Sequence, residues 1–144
     1  MAAHEPIDEW AIARTKLRPP VPSARLLRRD RVEEQLDELV AQHSLTLVSA
    51  PAGWGKTTAA AAWFGGADHG LRAWLTLDAG DDDVDAFWAA VAAALTEAGL
   101  VPPTLLSTLR TARSPGDEWR RYAVSLANDL DEAADGVVLV LDDL

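Results

Sequence analysis

The segment that decides the fold is Ser49-Ala50-Pro51-Ala52-Gly53-Trp54-Gly55-Lys56-Thr57-Thr58. An apolar run, Leu45 to Val48, precedes it and an alanine-rich run, residues 59–63, follows it. Strand, glycine-containing loop and helix is the order that a phosphate-binding loop requires. The pattern G-x-x-x-x-G-K-[ST] fits in its relaxed form, with Ala50 in place of the first glycine. We therefore expect backbone N–H groups that surround an anion, the alternative being an ordinary strand-to-helix turn.

Each part of this loop has a predicted role. Gly53 and Gly55 can adopt positive φ angles and let the backbone approach a phosphate. A helix that begins near Lys56 directs the positive end of its dipole at the anion. We expect Lys56 to reach the β- and γ-phosphates and the Thr57 hydroxyl to ligate Mg²⁺. The predicted nucleotide-binding residues are Ala50, Pro51, Ala52, Gly53, Trp54, Gly55, Lys56, Thr57 and Thr58.

Composition narrows the function classes. The 144 residues include no cysteine, which excludes disulfides and cysteine-ligated metal sites. A formal net charge of −10 makes the chain a poor candidate for direct binding to DNA phosphates. The N-terminus lacks a basic region followed by an apolar one, and no apolar run approaches the ~20 residues of a membrane helix. We expect a soluble, cytoplasmic protein with no membrane partner.

Periodicity along the rest of the chain predicts alternating strands and helices. Residues 1–22 form a basic, proline-rich lead-in, interpreted either as a solvated linker or as a strap across the nucleotide site. Strands are expected at 45–48 and 71–77. Helices are expected at 29–42, at 83–98 with Val84 on its apolar face, around 105–109, and at 117–134. The scattered tryptophans, apart from Trp54, are interpreted as core residues.

An acidic run, Asp78 to Asp85, follows the second predicted strand. A calcium loop beginning at Asp78 would need glycine at its sixth position, where Asp83 stands. We therefore reject a calcium site and expect Asp81 to Asp83 to cap the next helix.

The chain closes on Val137-Val138-Leu139-Val140-Leu141-Asp142-Asp143. Five consecutive apolar residues are typical of a strand buried on both faces of a parallel sheet. Carboxylates at the C-terminal edge of such a strand lie on the ligand-binding side. We expect Asp142 to hold Mg²⁺, through a water, and Asp143 to orient an attacking water or accept its proton. The alternative is that both acids merely solvate the end of the strand.

Three segments carry a family resemblance: "LTLVSAPAGWGKTT", "AWLTLDAGDDDVDAFWAAVAAAL" and "VVLVLDDL". They resemble the nucleotide-binding domain of large ATP-dependent LuxR-type (MalT-like) transcriptional regulators, which belong to the STAND class of P-loop ATPases. The lead-in "TKLRPPVPSARLLRR" resembles the segment before that domain. The similarity spans residues 15–144. It implies an ASCE-type P-loop NTPase fold, a three-layer α/β/α structure with a parallel sheet, truncated after the Asp-Asp strand, with residues 23–144 as its N-terminal part.

The resemblance also implies a function. ATP with Mg²⁺, replaced by ADP at rest, switches such a regulator between a resting monomer and a self-associated form, and a small-molecule inducer acts through regions missing here. Lys56 and Asp143 would be the catalytic residues of a slow Mg²⁺-dependent ATPase, and the base would lie around Arg25 to Arg28. The family's sheet order places a further strand between 45–50 and 137–142. Its absence implies an unfilled slot and an aggregation-prone fragment.

Two other functions fit the phosphate loop. A small P-loop kinase would transfer phosphate to a metabolite, but the paired aspartates and the lack of an arginine-rich lid make it less suitable. An inactive fragment of a longer regulator, serving only protein interaction, fits the acidic surface and the missing strand.

Overall fold

The computed structural model describes residues 12–21, 29–66, 71–102, 104, 118–131 and 136–144. Four helices occur in these ranges: α1 (Asp30–Gln42), α2 (Lys56–Phe64), α3 (Val84–Glu97) and α4 (Glu118–Asp131). The two strands are β1 (Leu71–Thr76) and β2 (Val137–Asp142), and 3₁₀ turns span Arg14–Leu17 and Ala79–Asp81. All six helices and strands had been predicted within a few residues. The short helix predicted around 105–109 lies outside the described residues.

The two strands pair in parallel, as predicted. Their register runs from Leu71 opposite Val137 to Thr76 opposite Asp142, so both strands end at the same edge. β2 is half-buried along its whole length. The sequence predicted a strand fully buried on both faces, but every residue of β2 is only partly buried. Within the described chain β2 has a neighbouring strand along one edge, and the other edge has none to cover it.

Helices cover both faces of β1. Arg72 and Trp74 face α2: the Trp74 ring meets Phe64 edge-on at 5.5 Å, and Arg72 donates to two α2 carbonyls. Ala73 and Leu75 point the other way, into the core formed with α3. This alternation is the period of two that a strand imposes. The mixed α/β organisation is thus confirmed.

The core lies between the sheet, α3 and α4. Seven consecutive residues of α3, Ala89 to Leu95, are buried, and their small side chains let the helix lie close to its neighbours. Tyr122 and Leu126 of α4 complete this core. Val84 was predicted on the apolar face but is 51% exposed, because it is the first residue of the helix, outside the packed turns. Within the described ranges, every helix falls short of the length and apolarity that a bilayer crossing demands.

The strand predicted at Leu45–Val48 is wrong. Residues 45–50 have no regular secondary structure, and Leu45 and Leu47 are 85% and 78% exposed. A strand requires a hydrogen-bonding neighbour, and the described chain offers none to this segment. The apolar composition favours a strand, but no strand forms because the described chain offers no neighbouring strand for hydrogen bonding.

The lead-in also differs from the linker interpretation. Residues 14–17 pack against β1 and α3, and Ile12 and Leu17 contact the core. Arg18 donates two hydrogen bonds to Glu97 at the end of α3. Residues 12–18 of the lead-in thus pack onto the fold through two apolar contacts and the ion pairs of Lys16 and Arg18, whereas Val21 is 93% exposed.

Candidate functional site

The loop before α2 has the backbone geometry that its glycines predict. Gly53 has φ = 80° and Gly55 has φ = 79°, both in the left-handed region that favours glycine. The Trp54 N–H donates to the Pro51 carbonyl at 3.3 Å, which closes a turn with Ala52 and Gly53 at its centre. Gly55 then serves as the N-cap of α2. The N–H groups of the first helical turn have no acceptor within the helix and are available at its N-terminus, next to the loop.

Lys56 begins α2 and bends back over the loop. Its ammonium donates to the carbonyl oxygens of Ala50 at 2.7 Å and Pro51 at 3.3 Å. The side chain is half-buried, so the charge is held at the rim of the loop and is still accessible. An anion entering the loop would meet this ammonium and the helix N-terminus together.

The loop helix and β2 meet through one hydrogen bond. The Thr57 hydroxyl donates to Asp142 Oδ1 at 2.7 Å, although the residues are 85 positions apart. Asp142 is itself fixed at the sheet edge, where its carbonyl accepts from the Leu77 N–H at 2.9 Å. The structure thus brings the two predicted halves of the site together on one side of the sheet.

Asp143 leaves the strand with an unusual backbone. Its φ of 61° is the only positive value outside glycine among the described residues. Aspartate tolerates the left-handed region better than most residues, and such strain is often found at functional sites. The side chain is exposed one position beyond the residue that contacts Thr57. Its location therefore suits a group that acts on solvent.

A cleft of about 450 Å³ opens beside the loop, between α1 and α2. The loop contributes Gly53, Trp54 and Gly55 to its lining. The two helices and the N-cap of α1 supply the rest: Arg29, Val32, Glu33, Thr58, Ala59 and Ala62. The predicted base-binding segment, Arg25 to Arg28, lies outside the described residues, immediately before Arg29.

Three aspartates of the acidic run cap local structure through their side chains. Asp83 caps α3 by accepting from the N–H groups of Asp85 at 2.9 Å and Ala86 at 3.2 Å, as predicted. Asp78 and Asp81 form a capping box around the 3₁₀ turn instead. Among the residues that the structure describes, no three or more acidic or histidine side chains are grouped so that they could hold a metal ion.

Sequence reasoning missed the role of Lys16. Its ammonium bridges Asp78 at 3.1 Å and Asp81 at 2.5 Å, just beyond the C-terminal edge of β1. Burial favours the neutral amine, but the hydrogen bonds to Asp81 and Asp78 outweigh it and raise the pKa of Lys16. The Gly80 N–H, together with Lys16, lowers the pKa of Asp78. The only signal in the sequence was a lone lysine in the lead-in and an acidic run 62 residues later, with nothing to show that they meet.

Comparison with known proteins gives one group of relatives. The chain is 35% identical over 133 residues to the serine/threonine-protein kinase PknK of Mycobacterium tuberculosis, in strains CDC 1551 and H37Rv, and of Mycobacterium bovis. The match covers 90% of this chain but only 12% of each relative. No family model matches the chain, and no solved structure matches it significantly. The chain therefore corresponds to about an eighth of the length of these kinases.

Proposed function

We propose that this chain binds ATP with Mg²⁺ in a P-loop NTPase domain, and that it is the switch part of a signal-responsive transcriptional regulator of the LuxR-type STAND class. The observation that carries the proposal is the 2.7 Å hydrogen bond from Thr57 to Asp142. It joins the loop with left-handed glycines to the acidic end of a parallel strand. An ordinary strand-to-helix turn would not need the distant carboxylate.

The phosphates would lie inside the loop. Backbone N–H groups at Gly53 and at Gly55 to Thr58 would supply neutral donors there, since the Trp54 N–H already donates to Pro51, and Lys56 would supply the positive charge. Lys56 now rests on the carbonyls of Ala50 and Pro51, so it would exchange these acceptors for phosphate oxygens. A charge-assisted hydrogen bond of this kind contributes about 1.5–3 kcal/mol.

The metal position follows from the donor atoms. Mg²⁺ prefers oxygen ligands and usually combines one or two protein groups with phosphates and water. Thr57 Oγ1 and Asp142 Oδ1 lie 2.7 Å apart, so one ion could be served by both, directly or through water. When bound, Mg²⁺ supplies neutralisation of the charge that develops on the phosphate oxygens.

Hydrolysis would use Asp143. As the oxygen of a water forms its bond to the γ-phosphorus, the bond to the bridging oxygen breaks and ADP leaves. The exposed Asp143 carboxylate orients that water and takes its proton. Lys56 stabilises the negative charge that builds on the transferred group. The reaction would convert ATP and water to ADP and phosphate.

Phosphoryl transfer to another acceptor is the second candidate, because the matched relatives are named serine/threonine-protein kinases. Those proteins are about eight times longer than this chain. The 144 residues contain neither H-R-D nor D-F-G, the segments that hold the base and the metal in protein kinases. For this chain the candidate would therefore rest on the phosphate loop. Release of ADP without an equal amount of phosphate, in the presence of an acceptor, would favour this candidate.

Calorimetric titration with ATP·Mg²⁺ tests the proposal. We expect wild type to bind, and Lys56→Ala to lose about 10- to 150-fold in affinity, the equivalent of ~1.5–3 kcal/mol. Arg121→Ala is the matched control, because it removes one cation from the exposed side of α4. Equal affinities for wild type and Lys56→Ala, in folded samples, would contradict the site.

Hydrolysis and regulation need separate tests. Asp143→Asn keeps a residue that tolerates the left-handed backbone but removes the carboxylate. We expect at least a hundredfold slower phosphate release with unchanged ATP affinity. Unchanged hydrolysis would remove Asp143 from the mechanism.

Reading the gene beyond codon 144 tests whether the chain is part of a transcriptional regulator. An in-frame helix-turn-helix would support that role, and an immediate stop codon would contradict it.

A further inference from the structure

Trp54 is an unusual residue for its position. It lies between Gly53 and Gly55, whose positive φ angles fix the course of the backbone. Its side chain is 68% exposed, whereas Trp63 and Trp74 are each less than 5% exposed. Because so large an apolar surface in water contributes nothing to the core, packing of the fold does not explain this tryptophan.

Trp54 lies at a cleft that combines apolar side chains with the proposed phosphate-binding loop. It lines the cleft of about 450 Å³ together with the apolar residues Val32, Ala59 and Ala62, and the polar part of the lining is Arg29, Glu33 and Thr58. The two alanines on the α2 side have small side chains, which occupy little of the cleft. The volume lies within the range of small-molecule sites. One end of the cleft is the loop itself, at Gly53 and Gly55.

This arrangement restricts the ligand. An anionic group would occupy the loop N–H groups, and an apolar, planar group attached to it would extend along the cleft. A nucleotide has both parts, whereas an inorganic polyphosphate has only the first. Aromatic side chains that stack on a nucleobase typically contribute about ten- to hundredfold in affinity, and this does not require a particular base.

We propose that the Trp54 indole packs against the nucleoside of the bound nucleotide and makes the site prefer nucleotides to inorganic polyphosphates. This inference rests on the proposed nucleotide site. Trp54 acts as a binding and positioning residue, because it contacts no reacting atom. The phosphate loop would then bind both ends of the nucleotide: Lys56 would contact the phosphates and Trp54 would pack against the nucleoside.

The experiment compares ATP with tripolyphosphate, both with Mg²⁺, by calorimetry on the full chain. Trp54→Ala is the test variant and Trp54→Phe the conservative one, because phenylalanine keeps an aromatic face. Val124→Ala is the matched control: it shortens an exposed apolar residue on α4, away from the cleft. Circular dichroism of each variant establishes that it is folded.

We expect Trp54→Ala to weaken ATP about tenfold while tripolyphosphate affinity stays within twofold of wild type. Trp54→Phe should restore most of the loss, and Val124→Ala should change neither ligand. Equal weakening of both ligands, or no weakening of ATP, would overturn the inference and leave the phosphate site intact. If wild type binds tripolyphosphate as tightly as ATP, the role given to Trp54 is wrong but the proposed phosphate site is retained. If wild type binds neither, the proposed function fails with it.

Discussion

The hydrogen bond between Thr57 and Asp142 can be measured without any nucleotide. We take Thr57→Val, which keeps the shape but removes the hydroxyl, Asp142→Ala, which removes the carboxylate, and the double variant. A hydrogen bond to a charged group contributes about 1.5–3 kcal/mol to stability, and half-burial of both partners places this one at the lower end. Thr57→Val should therefore cost about 1.5 kcal/mol.

The double-mutant cycle isolates the pair. We expect a coupling energy of about 1–1.5 kcal/mol from urea unfolding at neutral pH, and a melting temperature about 5 °C lower for Thr57→Val. Thr96→Val combined with Asp142→Ala is the control pair. Thr96 lies near the C-terminal end of α3, about 18 Å along the helix axis from its first residue, and its hydroxyl makes no hydrogen bond to Asp142, so its coupling should be close to zero. A coupling below about 0.5 kcal/mol for Thr57 and Asp142 would refute the convergence of the two motifs.

Four further outcomes are expected. Arg72→Lys should lose about 1–2 kcal/mol in urea unfolding, because lysine cannot both bridge the Trp63 and Phe64 carbonyls and stack on the Trp63 ring, 4.1 Å away. Thr96→Val should stabilise by up to about 1 kcal/mol, since the described chain gives its buried hydroxyl no hydrogen-bond partner; a loss would contradict this. Burial, helped by Asp129, raises the pKa of Tyr122, so the fold should lose stability as pH rises above the ordinary value near 10. Absorbance of this single tyrosine should then change together with unfolding, and tyrosinate in the folded protein near pH 10 would refute it. Leu47→Lys should leave stability within about 0.5 kcal/mol but reduce association measured by light scattering.

The sequence predicted most of the architecture because each element carries its own local signal. The apolar spacing of Leu36 and its neighbours, the Asp83 cap and the glycine stops all act within a few residues. These signals placed the helices, β1 and β2 correctly. The loop glycines could be predicted for the same reason, since positive φ angles restrict residue choice at the position itself.

The predictions that failed depended on contacts with distant residues, not on the local preference of a segment for helix or strand. Leu45 to Val48 has the composition of a strand, but a strand exists only beside another, and that information is not in the segment. Lys16 reaches Asp81 through the packing of the lead-in on β1, which no periodicity records. Contacts between residues distant in the sequence decide both cases, and a single sequence gives only indirect hints of them.

The register of β1 on β2 has a consequence for tolerated changes in length. Residues added or removed between position 77 and position 136, outside α3 and α4, leave the pairing of Thr76 with Asp142 unchanged, because that pairing does not depend on them. One residue inserted within β2 would turn Asp142 to the opposite face of the sheet, away from Thr57. Natural variants with a longer crossover should therefore keep the carboxylate in position, whereas an insertion of one codon in the strand should lose it.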